Sequence, residues 1–170
     1  MLDSGLPLAQ ADAGLQHYSD HLHMLRRWLA PLQAWLALYG DGPQGTAGLP
    51  ALALVALIDA DLADAALAGV RADRRPDDGL AWPPGASAAY RWGVIYVIEG
   101  SQLGGAVLYQ RLAGPLAPHP LRYLRSGAEG PGPRWRSFML ALRENVNSEG
   151  EIADACRGAC DAFDRILALR

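Results

Sequence analysis

Tyr90-Arg-Trp-Gly-Val-Ile-Tyr-Val-Ile-Glu-Gly-Ser-Gln-Leu-Gly-Gly105 is the stretch on which the reading of this chain turns. It reads as a helix, yet it holds Gly93, Gly100, Gly104 and Gly105. A glycine inside a helix costs about 1 kcal/mol relative to alanine, so four of them need compensation. Two arrangements supply it. Another helix packs against the bare backbone, for instance at Gly100-x-x-x-Gly104, or a flat ligand lies directly on it.

Outward from this segment the chain reads as helices joined by glycine- and proline-rich connections. Leu15, Tyr18, Leu22, Leu25, Leu29, Leu32, Leu36 and Tyr39 recur at steps of three and four, which predicts an amphipathic helix bent near Pro31 and ending before Gly40. Pro50 suits the first turn of a second helix running through Leu52, Val55, Ile58 and Leu62 to about Val70. On its polar side Asp59, Asp61 and Asp64 read as a solvated face. Residues 71–85 are polar and proline-rich, hence loop. The glycine-rich helix extends from about Ser87 to Leu112, and the prolines at 115, 118 and 120 leave room only for a short turn near Leu121 to Arg125. A further helix starts near Arg134, with Trp135 and Phe138 directed to the core. Ser148-x-x-Glu151 predicts a capping box for the last helix, whose apolar stripe is Ile152, Cys156, Ala159, Phe163, Ile166 and Leu167. No alternating strand pattern and no internal repeat occurs, so the fold class is all-α.

At 170 residues the chain is long enough for one domain, 1–170, with a proper core. No apolar run is long enough to span a bilayer, and the first residues lack the basic and hydrophobic regions of a secretory signal. The expectation is a soluble cytoplasmic protein with no membrane partner. A net charge of −3 argues against nucleic acid as the main partner. Every fixed basic side chain is arginine, so any carboxylate-binding group is a forked, bidentate one. Cys156 and Cys160 share a helix face and read as buried thiols rather than a disulfide. Phosphate-binding loops, dinucleotide motifs and cysteine–histidine zinc spacings are missing from the sequence.

The segment Tyr96-Val-Ile-Glu-Gly-Ser-Gln-Leu-Gly-Gly105 closely resembles the distal-helix motif of bacterial heme oxygenases, including the type that accompanies bacteriophytochromes. The likeness is strongest here and continues in register to the last helix. It implies a compact heme oxygenase-like helical bundle with the ligand between two helices. It further implies oxidative cleavage of heme, both substrate and cofactor, to biliverdin, CO and iron, using O2 and an external reductase. A bacteriophytochrome receiving the bilin is a partner the resemblance allows. Gly100, Gly104 and Gly105 fall on the family's glycine positions, where a missing Cβ lets backbone approach the porphyrin. Ser101 stands where mammalian-type members carry a water-organising aspartate, and its hydroxyl both donates and accepts. The competing reading of Ser101 is a hydroxyl bonded to its own helix backbone. Arg136 matches in position a basic residue that the family uses for a propionate, with Arg134 and Arg91 as alternatives and plain surface arginine as the bland reading.

The family's iron-ligating histidine lies on a first helix, a few residues before a segment resembling Leu2-Asp-Ser-Gly-Leu-Pro-Leu8, and so falls upstream of Met1. Either the natural protein extends further, or this is a short form without the ligand. His17 and His21 are one turn apart, a weak metal signal, and flank the buried stripe as boundary histidines. His119, between two prolines, is loop, and His23 completes the set. The alternative function is a degenerate relative that binds a tetrapyrrole or a protein partner without catalysis. A third, thiaminase-like chemistry on the same bundle requires a reactive cysteine facing a pocket.

Overall fold

A computed structural model describes residues 7–10, 12–71, 81–125 and 130–169. Among them the structure is five α-helices and three short 3-10 turns, with no strand. The helices are α1 (Leu15–Leu36), α2 (Leu54–Leu62), α3 (Ala88–Leu112), α4 (Gly132–Asn145) and α5 (Glu149–Leu167). The all-α expectation is met. The segment Leu2–Leu8 lies largely outside the described residues.

α1 forms where the three-four spacing places it. Tyr18, Leu22, Leu25, Leu29, Leu32 and Leu36 are buried, and Leu15 and Tyr39 pack at the edge of the same core. Each large side chain so buried contributes about 1.5–3 kcal/mol. Pro31 sits inside the helix without ending it. The second helix starts later than Pro50 predicts. The Gln33 amide donates to the Leu52 carbonyl at 2.7 Å, which ties 50–53 to α1 and delays helix formation to Leu54.

The acidic face of α2 is a correction. Asp59 is exposed and pairs with Arg26, but Asp61 is completely buried. Its carboxylate accepts from Tyr18 Oη at 2.7 Å, from the backbone N–H of Arg122 at 3.0 Å and Tyr123 at 2.9 Å, and from Arg122 Nη1 at 3.2 Å. Asp64 takes the other side of Arg122 at 3.0 Å. The loss of hydration is offset by these charge-assisted bonds. Asp61 thereby fastens α1, α2 and the 119–123 segment together. Periodicity marks the polar side of a helix; it does not reveal that another segment brings donors to it.

α3 is the central element, in contact with α4, α5 and the Gly42–Gly45 turn. It begins at Ser87, whose hydroxyl accepts from the Tyr90 N–H at 3.0 Å, and runs unbroken through all four glycines. Its closest neighbour is α5. A Cβ on Gly93 would collide with the Ala155 carbonyl, and one on Gly158 with the Tyr90 carbonyl. The two backbones are in direct contact, at a separation that only glycine permits on both helices.

This crossing changes the expected stripe of α5, of which Ala159 and Ile166 do pack against the core. The capping box is present, with Ser148 Oγ accepting from Glu151 N–H and the Glu151 carboxylate accepting from Ser148 N–H at 3.0 Å. The buried residues, however, are Gly158 and Ala162. Ile152, Phe163 and Leu167 are each about half exposed, and Cys156 and Cys160 are exposed free thiols rather than buried ones. A face chosen for close backbone approach carries small residues, so the larger apolar side chains point elsewhere.

Candidate functional site

Along α3 the surroundings change abruptly. Ala89 through Val94 are all buried, whereas Gly100 through Ala106 are all half-buried, and Tyr96 and Val107 reach the surface. The second half of the helix is therefore covered by its own chain on part of its circumference only. Helix geometry places Tyr96, Gly100, Gly104 and Val107 on one face. That face is apolar, and its two glycines carry no side chain of their own.

The glycines divide by role. Gly93 is consumed by the α5 crossing. The Cβ direction of Gly100 meets the Trp135 ring at 3.8 Å, and that of Gly105 meets Leu124 at 3.7 Å, both ordinary contacts. Trp135 belongs to a row of rings joining α3 to α4: Tyr96–Trp135 centroids are 5.3 Å apart, Trp135–Phe138 5.8 Å and Trp92–Phe138 5.5 Å. Phe138 is buried as expected, while Trp135 is only half-buried and forms a wall of the Gly100 surface.

Ser101 donates its hydroxyl to the Ile98 carbonyl at 2.6 Å, which is the backbone-bonded arrangement weighed against a functional one. Its oxygen retains acceptor capacity, and the Gln102 amide approaches it at 3.3 Å. The same amide reaches Tyr123 Oη over a long 3.5 Å. Burial pushes the Tyr123 phenol well above the usual tyrosine range, so it stays protonated beside the glycine helix. Tyr123 carried no periodicity signal in the sequence; it reaches this site because Asp61 holds its backbone N–H from the other side.

The three arginines have separate fates. Arg91 is 1 % exposed and points away from the glycine face. It donates to the Asp41 carbonyl at 2.8 Å, the Asp41 carboxylate at 2.7 Å and Gln44 Oε1 at 2.6 Å, and stacks 4.0 Å above the Tyr39 ring. Arg134 grips Glu99 in a two-pronged pair, with Nη2 at 2.6 Å and Nε at 2.9 and 3.0 Å, which docks the start of α4 beside Gly100. Arg136 is exposed one residue beyond Trp135 and is engaged by no ion pair among the described residues. Of the three, Arg136 has its guanidinium available for an incoming carboxylate.

The histidines are mostly committed to the fold. His17 Nδ1 accepts from the Gly14 N–H at 3.1 Å at the start of α1. His119 is loop, as expected, but buried: Nδ1 accepts from Leu121 N–H at 3.0 Å and Nε2 lies 3.0 Å from the Asp61 carbonyl. With Nδ1 accepting, the proton sits on Nε2, and neither nitrogen is open to a metal. His21 and His23 are half-buried on α1. No group of three or more histidine, cysteine or acidic side chains able to hold a metal ion occurs among the described residues. No described helix is long and apolar enough to cross a membrane.

The arrangement suits a flat, largely apolar ligand with acidic groups at its edge. Gly100, Tyr96 and Val107 lie on this face with the Trp135 ring beside them, and Arg136 is exposed on the next residue. Ser101 Oγ and Tyr123 Oη add polar atoms on the flank. No family model matches the chain. It is 36% identical over 156 residues to the heme oxygenase of Xanthomonas campestris pv. campestris (strain 8004), a match covering 90% of this chain and 86% of that protein.

Proposed function

Since the chain belongs to the heme oxygenase family, we propose that it opens heme oxidatively to biliverdin, CO and iron, with O2 as oxidant and electrons from a separate reductase. The observation that carries this reading is the passage of α3 from full burial to a half-covered glycine face, in the segment that matches the family's distal motif. Bound heme supplies the chemistry, since its iron activates O2 toward its own macrocycle.

The chain's residues have narrower tasks. Gly100 and Gly104 set how near the backbone comes to the ring plane. Trp135 closes one side and fixes lateral position. Arg136 holds a propionate and so orients the ring edge. Ser101 Oγ, already donating to Ile98, acts as an acceptor that holds a water on the helix flank, and the protonated Tyr123 hydroxyl behind Gln102 limits where that water sits. A soluble, cytoplasmic setting and a bacteriophytochrome that receives the bilin are parts of the same reading.

The alternative, a relative that holds a tetrapyrrole without turnover, draws on the commitment of His17 and His119 to the fold. Heme titration of this chain with absorption spectroscopy separates the two, run beside a form extended upstream in frame. A stoichiometric histidine-ligated spectrum and biliverdin formation with a reductant in either form supports the enzyme. Binding without turnover in both forms supports the alternative. Absence of heme binding in both removes the heme reading altogether.

A further inference from the structure

On the far side of α3 from Gly100 and Gly104 lies a second concavity, a groove of ≈ 680 Å³. It is bounded by the end of α1, residues 43–54, the Ile95–Glu99 turn of α3 and the start of α4. Its walls are mainly apolar, with Leu36, Leu52, Ile95 and Phe138 among them. Its volume lies within the range of about 300–1,000 Å³ that small-molecule sites occupy.

The polar groups along it are few and prearranged. Glu99 is 5 % exposed and locked to Arg134 through Nε and Nη2, which leaves Arg134 Nη1 without a partner among the described residues. Gln44 is held by its Oε1, which accepts from Arg91 Nη1, and its amide N–H groups have no partner among the described residues. Gln33 is held by its amide nitrogen on the Leu52 carbonyl, so its Oε1 is open. Three anchored side chains thus present two unsatisfied donors and one unsatisfied acceptor on an apolar groove.

The charges decide what kind of molecule this suits. Arg134 and Glu99 cancel, so neither an anion nor a cation gains a net field, and either one meets a like charge within the pair. A neutral molecule has no such penalty. An apolar body fits the walls, and an amide edge matches the remaining groups, its C=O accepting from Arg134 or Gln44 and its N–H donating to Gln33. We propose that this groove is a binding site for an uncharged small molecule with an apolar body and an amide edge, separate from the glycine face of α3.

The test uses three probes of one shape at equal concentration: 1-naphthamide, 1-naphthoate and naphthalene. Binding is read by saturation-transfer NMR and titration calorimetry on the whole chain. The naphthamide binds about tenfold more tightly than either of the others, as one satisfied hydrogen-bonding edge allows. Ala53→Trp, at the exposed rim, abolishes that binding, while Ala153→Trp on exposed α5 leaves it unchanged. Both variants keep the wild-type circular dichroism and melting temperature, because neither position is buried. Equal binding of all three probes, preference for the carboxylate, failure of all three, or naphthamide binding that survives Ala53→Trp would each overturn the proposal.

Discussion

Gly158 on α5 presents its bare Cα to the carbonyl oxygen of Tyr90 on α3, at a separation no side chain could enter. One turn along, Gly93 does the same toward Ala155. The reciprocal contact explains why a buried helix tolerates glycine at 93: helix propensity is given up for an approach that joins the two longest-packed elements of the bundle.

Substitution separates this role from mere tolerance. Gly158→Ala and Gly93→Ala force α3 and α5 apart and lower stability by about 2 kcal/mol or more each, at or above the usual cost of overpacking. Gly150→Ala, near the start of α5 with open space around it, is neutral or stabilising by up to about 1 kcal/mol. Urea denaturation midpoints measure all three. Equal midpoints for Gly158→Ala and wild type would remove the crossing as an explanation.

Asp61 is the fastening point of α1, α2 and the 119–123 segment. Asp61→Ala strands the backbone N–H groups of Arg122 and Tyr123 and the Tyr18 hydroxyl, and costs about 3–5 kcal/mol. Tyr18→Phe removes a single bond to the carboxylate and costs about 1–3 kcal/mol. A calorimetric melt in which Asp61→Ala behaves like an exposed-site variant contradicts this account.

Alkali gives a second handle. Burial raises the ionisation of Tyr18, Tyr90 and Tyr123, and the bonds to Asp61 and Asp161 add to it in the first two. These phenols remain neutral in the folded protein while the unfolded chain ionises near the ordinary tyrosine value of about 10. Stability from them is therefore complete below that pH and falls as pH climbs toward the folded values. In a titration followed by phenolate absorbance and far-UV circular dichroism, three of the six tyrosines ionise together with loss of helix. All six ionising before the helix signal moves would be the contrary result.

Acid acts through the α5 cap. Backbone N–H of Ser148, the Ser148 hydroxyl and backbone N–H of Asn147 hold the Glu151 carboxyl below the usual range. Its stabilising effect is present above the unfolded pKa and disappears as pH falls through the lowered folded one. Glu151→Gln is thus less stable than wild type at neutral pH, and the gap narrows on acidification. A gap that stays constant from neutral to acid would show that the charge plays no part.

At the candidate site, Gly104→Leu blocks heme by placing a side chain over the ring position. Ser101→Ala leaves binding intact and alters turnover, since its hydroxyl faces the Ile98 carbonyl and the helix flank. Arg136→Ala weakens heme binding by about tenfold, the scale of one charge-assisted contact. Absorption titration reads each variant. Unchanged, tight binding by Gly104→Leu means the ring lies elsewhere.

Features legible from the residues alone are local ones. Three-four periodicity placed α1, and the Ser148 capping box marked the start of α5, because both signals are short-range. The glycine motif carried the family. Tertiary structure decided what each residue faces. It divided the glycines between a helix crossing at 93 and a half-open face at 100–106. It turned Asp61 inward and left Ile152, Phe163 and Leu167 of α5 exposed, and it committed Arg91 and Arg134 to Asp41 and Glu99 while leaving Arg136 exposed. None of these was legible, because a side chain's partner depends on segments that lie far away in sequence and meet it only once the helices pack.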